Sequence, residues 1–286
     1  MNLESLNPQQ LEAVQHGKGP LLVVAGAGSG KTRVITSRIA NLIQQGINPD
    51  SILAITFTNK AAGEMKQRVF KMLSGDDLPS PWISTFHSFC LRLLRKHINE
   101  LDYSREFVIY DSSDQLSLIK QCMRSVDIEA EAFPPKTLLN HISGFKNDFI
   151  LPIDIDSDNF PFGAKMKAAE VYPLYQHNLK ISNALDFDDL LIMTVRLFKE
   201  SEAVLERYSN QFQQILVDEF QDTNATQYKL VCLLASKHSN VCAVGDDDQS
   251  IYRWRGANIE NILNFEKDFP NTRIIKLEEN YRSTQI

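Results

Sequence analysis

Cysteine is scarce: four in 286 residues, none forming a CxxC pair. Cys90, Cys122, Cys232 and Cys242 all sit in apolar stretches, so they read as reduced core thiols of a cytoplasmic protein and not as a disulfide framework. Long apolar runs are missing too. Nothing approaches the ~20 residues needed to cross a bilayer, and MNLESLNPQQ has neither the basic start nor the apolar core of a signal peptide. Positive charge is also short, with 30 Lys and Arg against 36 Asp and Glu and a net charge of −6, which excludes a protein coated in basic surface. A local basic groove is still allowed. Between Lys60 and Lys96 there are seven basic residues (Lys60, Lys66, Arg68, Lys71, Arg92, Arg95, Lys96) against three acids (Glu64, Asp76, Asp77). What is left is an ordinary globular composition, 43% hydrophobic and 23% charged, long enough for one or two domains around a large core.

Against that background, residues 21–32, LLVVAGAGSGKT, stand out. Leu21 to Val24 are a short apolar, partly β-branched run that predicts a strand buried on both faces. Gly26, Gly28 and Gly30 follow at alternate positions, where the missing Cβ lets backbone N–H groups wrap a phosphate. A helix from Thr32 to about Gln45 would point its positive end at the same place. Lys31 could then reach the β and γ phosphates and Thr32 could ligate Mg²⁺. The strict pattern wants Gly where Ala25 stands, a small change at a strand exit. The nucleotide-binding stretch is therefore Ala25, Gly26, Ala27, Gly28, Ser29, Gly30, Lys31, Thr32 and Arg33.

Ahead of it, Asn7 reads as a helix N-cap with Pro8 at the first helical position. Gln10 reads locally as a solvated helix residue, although an amide can also read an adenine edge. Beyond it, Ile52–Phe57 and Trp82–Thr85 predict further strands, ending in TFTNKAA and STFHSF. Ligands gather at the C-terminal ends of strands in open α/β sheets. Phe57 there is a core aromatic or a stacking platform, and the adjacent hydroxyls and Lys60 suit a phosphate backbone. From about Cys90 the βαβ rhythm gives way to helical spacing over 90–98, 113–126 (capped by Ser112 or Ser113), 136–146 and 165–182. The loop 147–163 is acidic without calcium-loop spacing. Asp186, Asp188 and Asp189 open the block's last helix, where acids complement the helix dipole.

The sheet resumes at Gln214–Val217, delivering Asp218 and Glu219. Downstream of a phosphate loop, such a pair supplies a Mg²⁺ carboxylate and a base for the attacking water. Val241–Val244 then leads to Gly245-Asp246-Asp247-Asp248-Gln249 and to Tyr252, Arg253, Trp254 and Arg255, which supply stacking and phosphate pairing for single-stranded nucleic acid, the alternation with arginine arguing against a core aromatic cluster. A last strand, Ile274–Leu277, runs into NYRS.

Together LNPQQ, AGAGSGKT, TFTNKAA, STFHSF, LDFDDL, VDEFQDTN, VGDDDQSIYRWRGA and LEENYRS closely resemble the UvrD/Rep/PcrA family of superfamily 1 DNA helicases, in family order and over nearly the whole chain. Rep-like members look most similar, through RIIKLEENYRS. The resemblance implies a RecA-like α/β phosphate-loop NTPase domain with a parallel sheet (1–89 and 201–277), an inserted all-helical subdomain (90–200), and the start of a second RecA-like domain (278–286). It implies ATP and Mg²⁺ as cofactors and single-stranded DNA and single-strand/duplex junctions as partners, with movement 3′ to 5′ in replication or repair alongside proteins of those processes, and no membrane.

Carried onto this chain, Gln10 reads adenine, against its local reading, and Tyr281 stacks on the base. Thr32 and Asp218 hold Mg²⁺, Glu219 is the catalytic base, Gln249 the γ-phosphate sensor and Arg282 an arginine finger. Phe57, Thr58, Asn59, Thr85, His87, Phe187, Tyr252, Trp254 and Arg255 fall in the DNA-contacting motifs. Most of the second motor domain has no counterpart here, so the expectation is an N-terminal helicase fragment that does not unwind DNA by itself. The competing readings are a nucleotide-dependent switch, or a structural binding module without motor activity.

Overall fold

The computed structural model describes residues 3–73, 80–246, 260–279 and 281. In chain order the elements are α1 (Pro8–Gln15), β1 (Leu21–Ala25), α2 (Lys31–Gln44), β2 (Ile52–Thr56), α3 (Asn59–Leu73), β3 (Trp82–Thr85), α4 (Phe86–His97), β4 (Val108–Ile109), α5 (Ser112–Ser125) and α6 (Pro135–Asn147). Then come α7 (Ala164–Ile181), β5 (Ala184–Leu185), α8 (Asp189–Glu200), α9 (Glu202–Gln211), β6 (Gln214–Val217), α10 (Ala225–Ala235), β7 (Val241–Gly245), α11 (Glu260–Asp268) and β8 (Arg273–Leu277). They divide into two compact units: Met1–Phe89 with Ala203–Asn224 and Tyr228–Ile286, and Cys90–Glu202 with Ala225–Gln227.

The first unit is built on a six-stranded sheet ordered β3-β2-β6-β7-β1-β8, with every pairing parallel. Burial follows position in the sheet. The inner strands β2, β6 and β7 are buried at every residue, whereas the edge strands β3 and β8 alternate with more exposed positions. That is why the inner strands read as continuous apolar runs. Helix α2 turns Val34, Ile35, Ile39 and Leu42 into the same core as Leu21, Val23, Ile52, Leu216 and Val244. Each such side chain contributes about 1.5–3 kcal/mol. An exposed pair such as Lys237–Glu206 adds about 0–1. Core burial therefore holds this unit, and ion pairs trim its surface.

Asn7 does cap α1: its side chain accepts from the Gln10 N–H while the Gln10 side chain accepts from the Asn7 N–H, a complete capping box. Gln10 itself is buried, contrary to its local reading as a solvated residue. The second unit packs α5, α6 and α7 around Ile119, Leu138, Ile142, Phe145, Tyr172 and Leu179. It is not all helix, because Val108–Ile109 pair in parallel with Ala184–Leu185. Two-residue strands are too short to leave a period in the sequence. The cap of α5 is Asp111, paired with Asp114 in a capping box, and not Ser112 or Ser113. A carboxylate accepting two backbone N–H groups outcompetes a hydroxyl there. Among the described residues, no helix is long and apolar enough to cross a membrane.

Candidate nucleotide site and nucleic-acid face

The sheet order places the carboxyl ends of β6, β7 and β1 side by side, and the charged residues collect there. From β1 the chain leaves through Gly26 and turns back on itself, with the Ser29 hydroxyl donating to the Gly26 carbonyl at 2.7 Å. Gly30 ends the loop at φ 89°, in the left-handed region, and a Cβ there would lie 2.8 Å from Gln10 Nε2. The left-handed φ calls for glycine, while the close approach would be met by a shift of the Gln10 amide. Helix α2 starts at Lys31 with no side chain capping it, so its first N–H groups remain available to an anion.

Lys31 is only slightly exposed, and its ammonium donates to the Ala25 carbonyl at 3.1 Å and to Asp246 Oδ2 at 3.0 Å. Glu219 Oε2 lies 3.9 Å away. Asp218, at the tip of β6, is buried and accepts the Glu219 N–H at 3.1 Å. Burial pushes its carboxyl up to about 7, the negative Glu219 adds to this, and the Glu219 N–H and Lys31 only partly oppose it. Asp222 is raised to about 6, again by burial and then by Glu219, and its Oδ1 is a buried acceptor without a hydrogen-bond partner. Glu219 itself adopts φ 49°, ψ 45°, a left-handed conformation that is strained for a non-glycine residue.

The cost of keeping Asp218 here is measurable. Its folded value of about 7 lies above the ordinary 3.8, so the folded state keeps a proton that the unfolded state has released. Stability therefore falls as pH rises from 3.8 towards 7, and the full deficit is present above that. Asp218→Asn is expected to stabilise the ligand-free chain at pH 8 by roughly 1–4 kcal/mol, taking about 1.4 kcal/mol per pKa unit as the ceiling. The gain should vanish near pH 4. Thermal unfolding at the two pH values checks this, and an equal effect at both would refute it.

The residues assigned to the base adjoin the loop. The Tyr281 N–H donates to the Gly28 carbonyl at 3.0 Å, its ring is exposed, and Asn7 Nδ2 donates to its hydroxyl at 2.9 Å. Arg33 donates to the Ser5 carbonyl and hydroxyl. Gln10 uses both ends of its amide within the chain, Nε2 on the Ser29 carbonyl at 2.9 Å and Oε1 on the Asn7 N–H at 3.3 Å. Gln10 thus holds the phosphate loop while one amide N–H and one oxygen lone pair are left over.

On the other side of β6, strands β2 and β3 pair with Thr56 opposite Thr85. Their exits therefore coincide, and the half-buried Phe57 meets Phe86 edge-on at 5.7 Å. Thr58 and Asn59 are exposed, and the Thr58 hydroxyl accepts the Ala61 N–H. Thr85 is buried and its hydroxyl accepts the Ser88 N–H at the start of α4, while His87 is half-buried beside it. Phe187 belongs to the second unit, where it is 54% exposed beside the buried Asp186. Gln249, Tyr252, Trp254, Arg255 and Arg282 lie outside the described residues. Asp246 and Gln221 are site residues that motif reading left without a role. The position of Asp246 directly after an apolar strand was the available signal.

A parallel sheet with a phosphate loop at the end of one strand and an Asp-Glu pair on another defines a RecA-like nucleotide-binding α/β protein. Residues 6–270 match the UvrD/REP helicase N-terminal domain, and the chain belongs to that family. It is 51% identical over 284 residues to the ATP-dependent DNA helicase PcrA of Staphylococcus aureus (strain Mu50), covering 99% of this chain and 39% of that protein. It is 50% identical to PcrA of Staphylococcus epidermidis (strain ATCC 35984), with the same coverage. The chain thus spans 39% of the length of these curated relatives.

Proposed function

We propose that this chain is the N-terminal motor portion of an ATP-dependent DNA helicase that binds single-stranded DNA and hydrolyses ATP to translocate, 3′ to 5′, and to unwind duplexes in replication or repair. In this reading residues 1–89 and 201–277 form the RecA-like motor domain, 90–200 its helical insertion, and 278–286 the opening of a second motor domain. The observation that carries it is the gathering of Lys31, Asp218, Glu219 and Asp246 at neighbouring strand ends, with the aromatic and hydroxyl tips of β2 and β3 at the same end of the sheet.

The residues present fit a nucleotide with its metal. Asp218 is a buried carboxylate held above its ordinary range, and Asp222 has an unpartnered acceptor, so the tip of β6 is short of positive charge. Thr32 and Asp218 are hard oxygen ligands of the kind Mg²⁺ takes. Bound there, the cation would neutralise phosphate charge. Lys31 would leave Asp246 for the phosphates, and the N-terminus of α2 would add its N–H groups. Glu219 would orient the attacking water and accept its proton. Gln249 would sense the γ-phosphate and Arg282 would stabilise its charge in the transition state, with Tyr281 and Gln10 on the adenine. Phe57, Phe187, Tyr252 and Trp254 would stack on bases while Thr58, Asn59, Thr85, His87 and Arg255 line the backbone path. Four free thiols agree with a reducing cytoplasm.

The test uses the full-length gene product. Its ATPase should rise on adding single-stranded DNA, and Phe57→Ala should weaken single-strand binding by about 1–3 kcal/mol. Unstimulated ATPase would overturn the motor reading in favour of a nucleotide-dependent switch.

A further inference from the structure

Gln221 is buried in the short turn Phe220–Asp222 that follows Glu219, and its amide makes two bonds to two different strand ends. Oε1 accepts the Asp246 N–H at 3.0 Å, and Nε2 donates to Glu219 Oε2 at 2.8 Å. The orientation is chemically forced. A backbone N–H can meet only the amide oxygen, and that choice turns the NH₂ towards the carboxylate, the acceptor that can use it. The approach is close: a Cβ on Gly245 would fall 3.0 Å from Gln221 Oε1 and 3.2 Å from its backbone nitrogen. A side chain at the end of β7 would press on this turn by a few tenths of an ångström.

What the amide holds is a strained residue. Glu219 sits at φ 49° with a partly exposed side chain, so its carboxylate has solvent-facing alternatives unless something fixes it. Lys31 is 3.9 Å away and spends its shorter contacts on Asp246 and the Ala25 carbonyl. Gln221 therefore supplies the short directional bond to Glu219. The same amide ties Glu219 to the backbone of Asp246, whose side chain accepts from Lys31.

We propose that Gln221 is a positioning residue for the hydrolytic step, fixing the carboxylate of Glu219 against the tip of β7. This rests on the reading of Glu219 as the base. The two readings fail differently. In the full-length gene product, single-turnover ATP hydrolysis and fluorescent-nucleotide binding are measured for Gln221→Leu, Gln221→Glu, Glu219→Gln and the Gln221→Leu/Glu219→Gln double variant. Loss of one hydrogen bond to a charged group predicts a turnover about 10–100-fold slower in Gln221→Leu. Nucleotide affinity should stay within about threefold of the parent. Gln221→Glu keeps the acceptor for the Asp246 N–H and the side-chain shape; assayed at pH 9, with its carboxyl ionised, it lacks the donor and repels Glu219, so it should be at least as slow there. In the Glu219→Gln background the leucine substitution should cost nothing further, because the two residues act as one unit.

Parental turnover in Gln221→Glu at pH 9 would overturn the proposal, since only the bond to Asp246 would then matter. An undiminished further loss in the double variant would overturn it equally, by separating Gln221 from Glu219. Parental turnover in Glu219→Gln would instead refute the base assignment, and the positioning role would fall with it.

Discussion

Glu219→Gln in the full-length gene product is expected to lower ATP turnover by about 10²–10⁴-fold, the usual worth of a positioned general base. Nucleotide binding should survive. Glutamine is isosteric, so the left-handed turn at φ 49° and the bond from the Asp222 N–H to the residue 219 carbonyl are unaffected. The lost charge also acts on a neighbour. Glu219 is one reason that the Asp218 carboxyl rests at about 7, so neutralising it leaves Asp218 more fully ionised at pH 7 and better able to hold a cation. The substitution therefore separates binding from chemistry, a profile that removal of Lys31 would not give. Steady-state hydrolysis and a nucleotide titration measure the two terms. Turnover within about threefold of the parent would remove Glu219 from the chemistry.

How far this site could be read without coordinates depended on whether its parts are local. The phosphate loop was legible because strand, glycines, lysine and helix are contiguous in residues 21–44. The Asp218–Glu219 pair was legible because it ends its own apolar strand. The link from Glu219 through Gln221 to Asp246 was not, because it exists only once β6 and β7 lie side by side in register, Val217 opposite Ala243. Gln10 shows the same limit from another side. Its bond to the Ser29 carbonyl spans nineteen residues of sequence, beyond the reach of local spacing. By sequence alone the acids of Asp186-Phe187-Asp188-Asp189 complement a helix dipole. Asp186 and Asp189 are in fact buried, because Lys146, forty residues earlier than Asp186, comes to meet them.

That meeting carries the second large effect: Lys146→Met is expected to destabilise the helical unit by about 3–5 kcal/mol, the cost of leaving buried charge without its partner. Lys146 is fully buried, with Nζ 2.6 Å from Asp186 Oδ2 and 2.7 Å from Asp189 Oδ1. Burial by itself would drag its ammonium down, and the two carboxylates more than reverse that, holding it well above its ordinary range. Its contribution is therefore complete below the ordinary value of 10.5 and is lost only as pH rises through the raised folded value. Asp189 bears the opposite strain. Burial, and then Asp186, push Asp189 up to about 6 even with the cation in place. Tyr175 donates to Asp186 and Gln176 to Asp189, and the two aspartates accept each other's backbone N–H groups. The exposed Phe187 rides on that turn. Without Lys146 the Asp189 carboxyl should titrate higher still, so the folded variant takes up a proton that the unfolded chain has released. The penalty should then be largest at pH 8 and shrink as pH falls towards 4. The triple variant Lys146→Met/Asp186→Asn/Asp189→Asn should recover much of the loss, because replacing a whole buried cluster by neutral groups costs far less than orphaning its charges. Chemical unfolding at the two pH values tests both statements. A single variant no weaker than a surface lysine substitution, or equally weak at either pH, would show that the cluster does not hold the unit together.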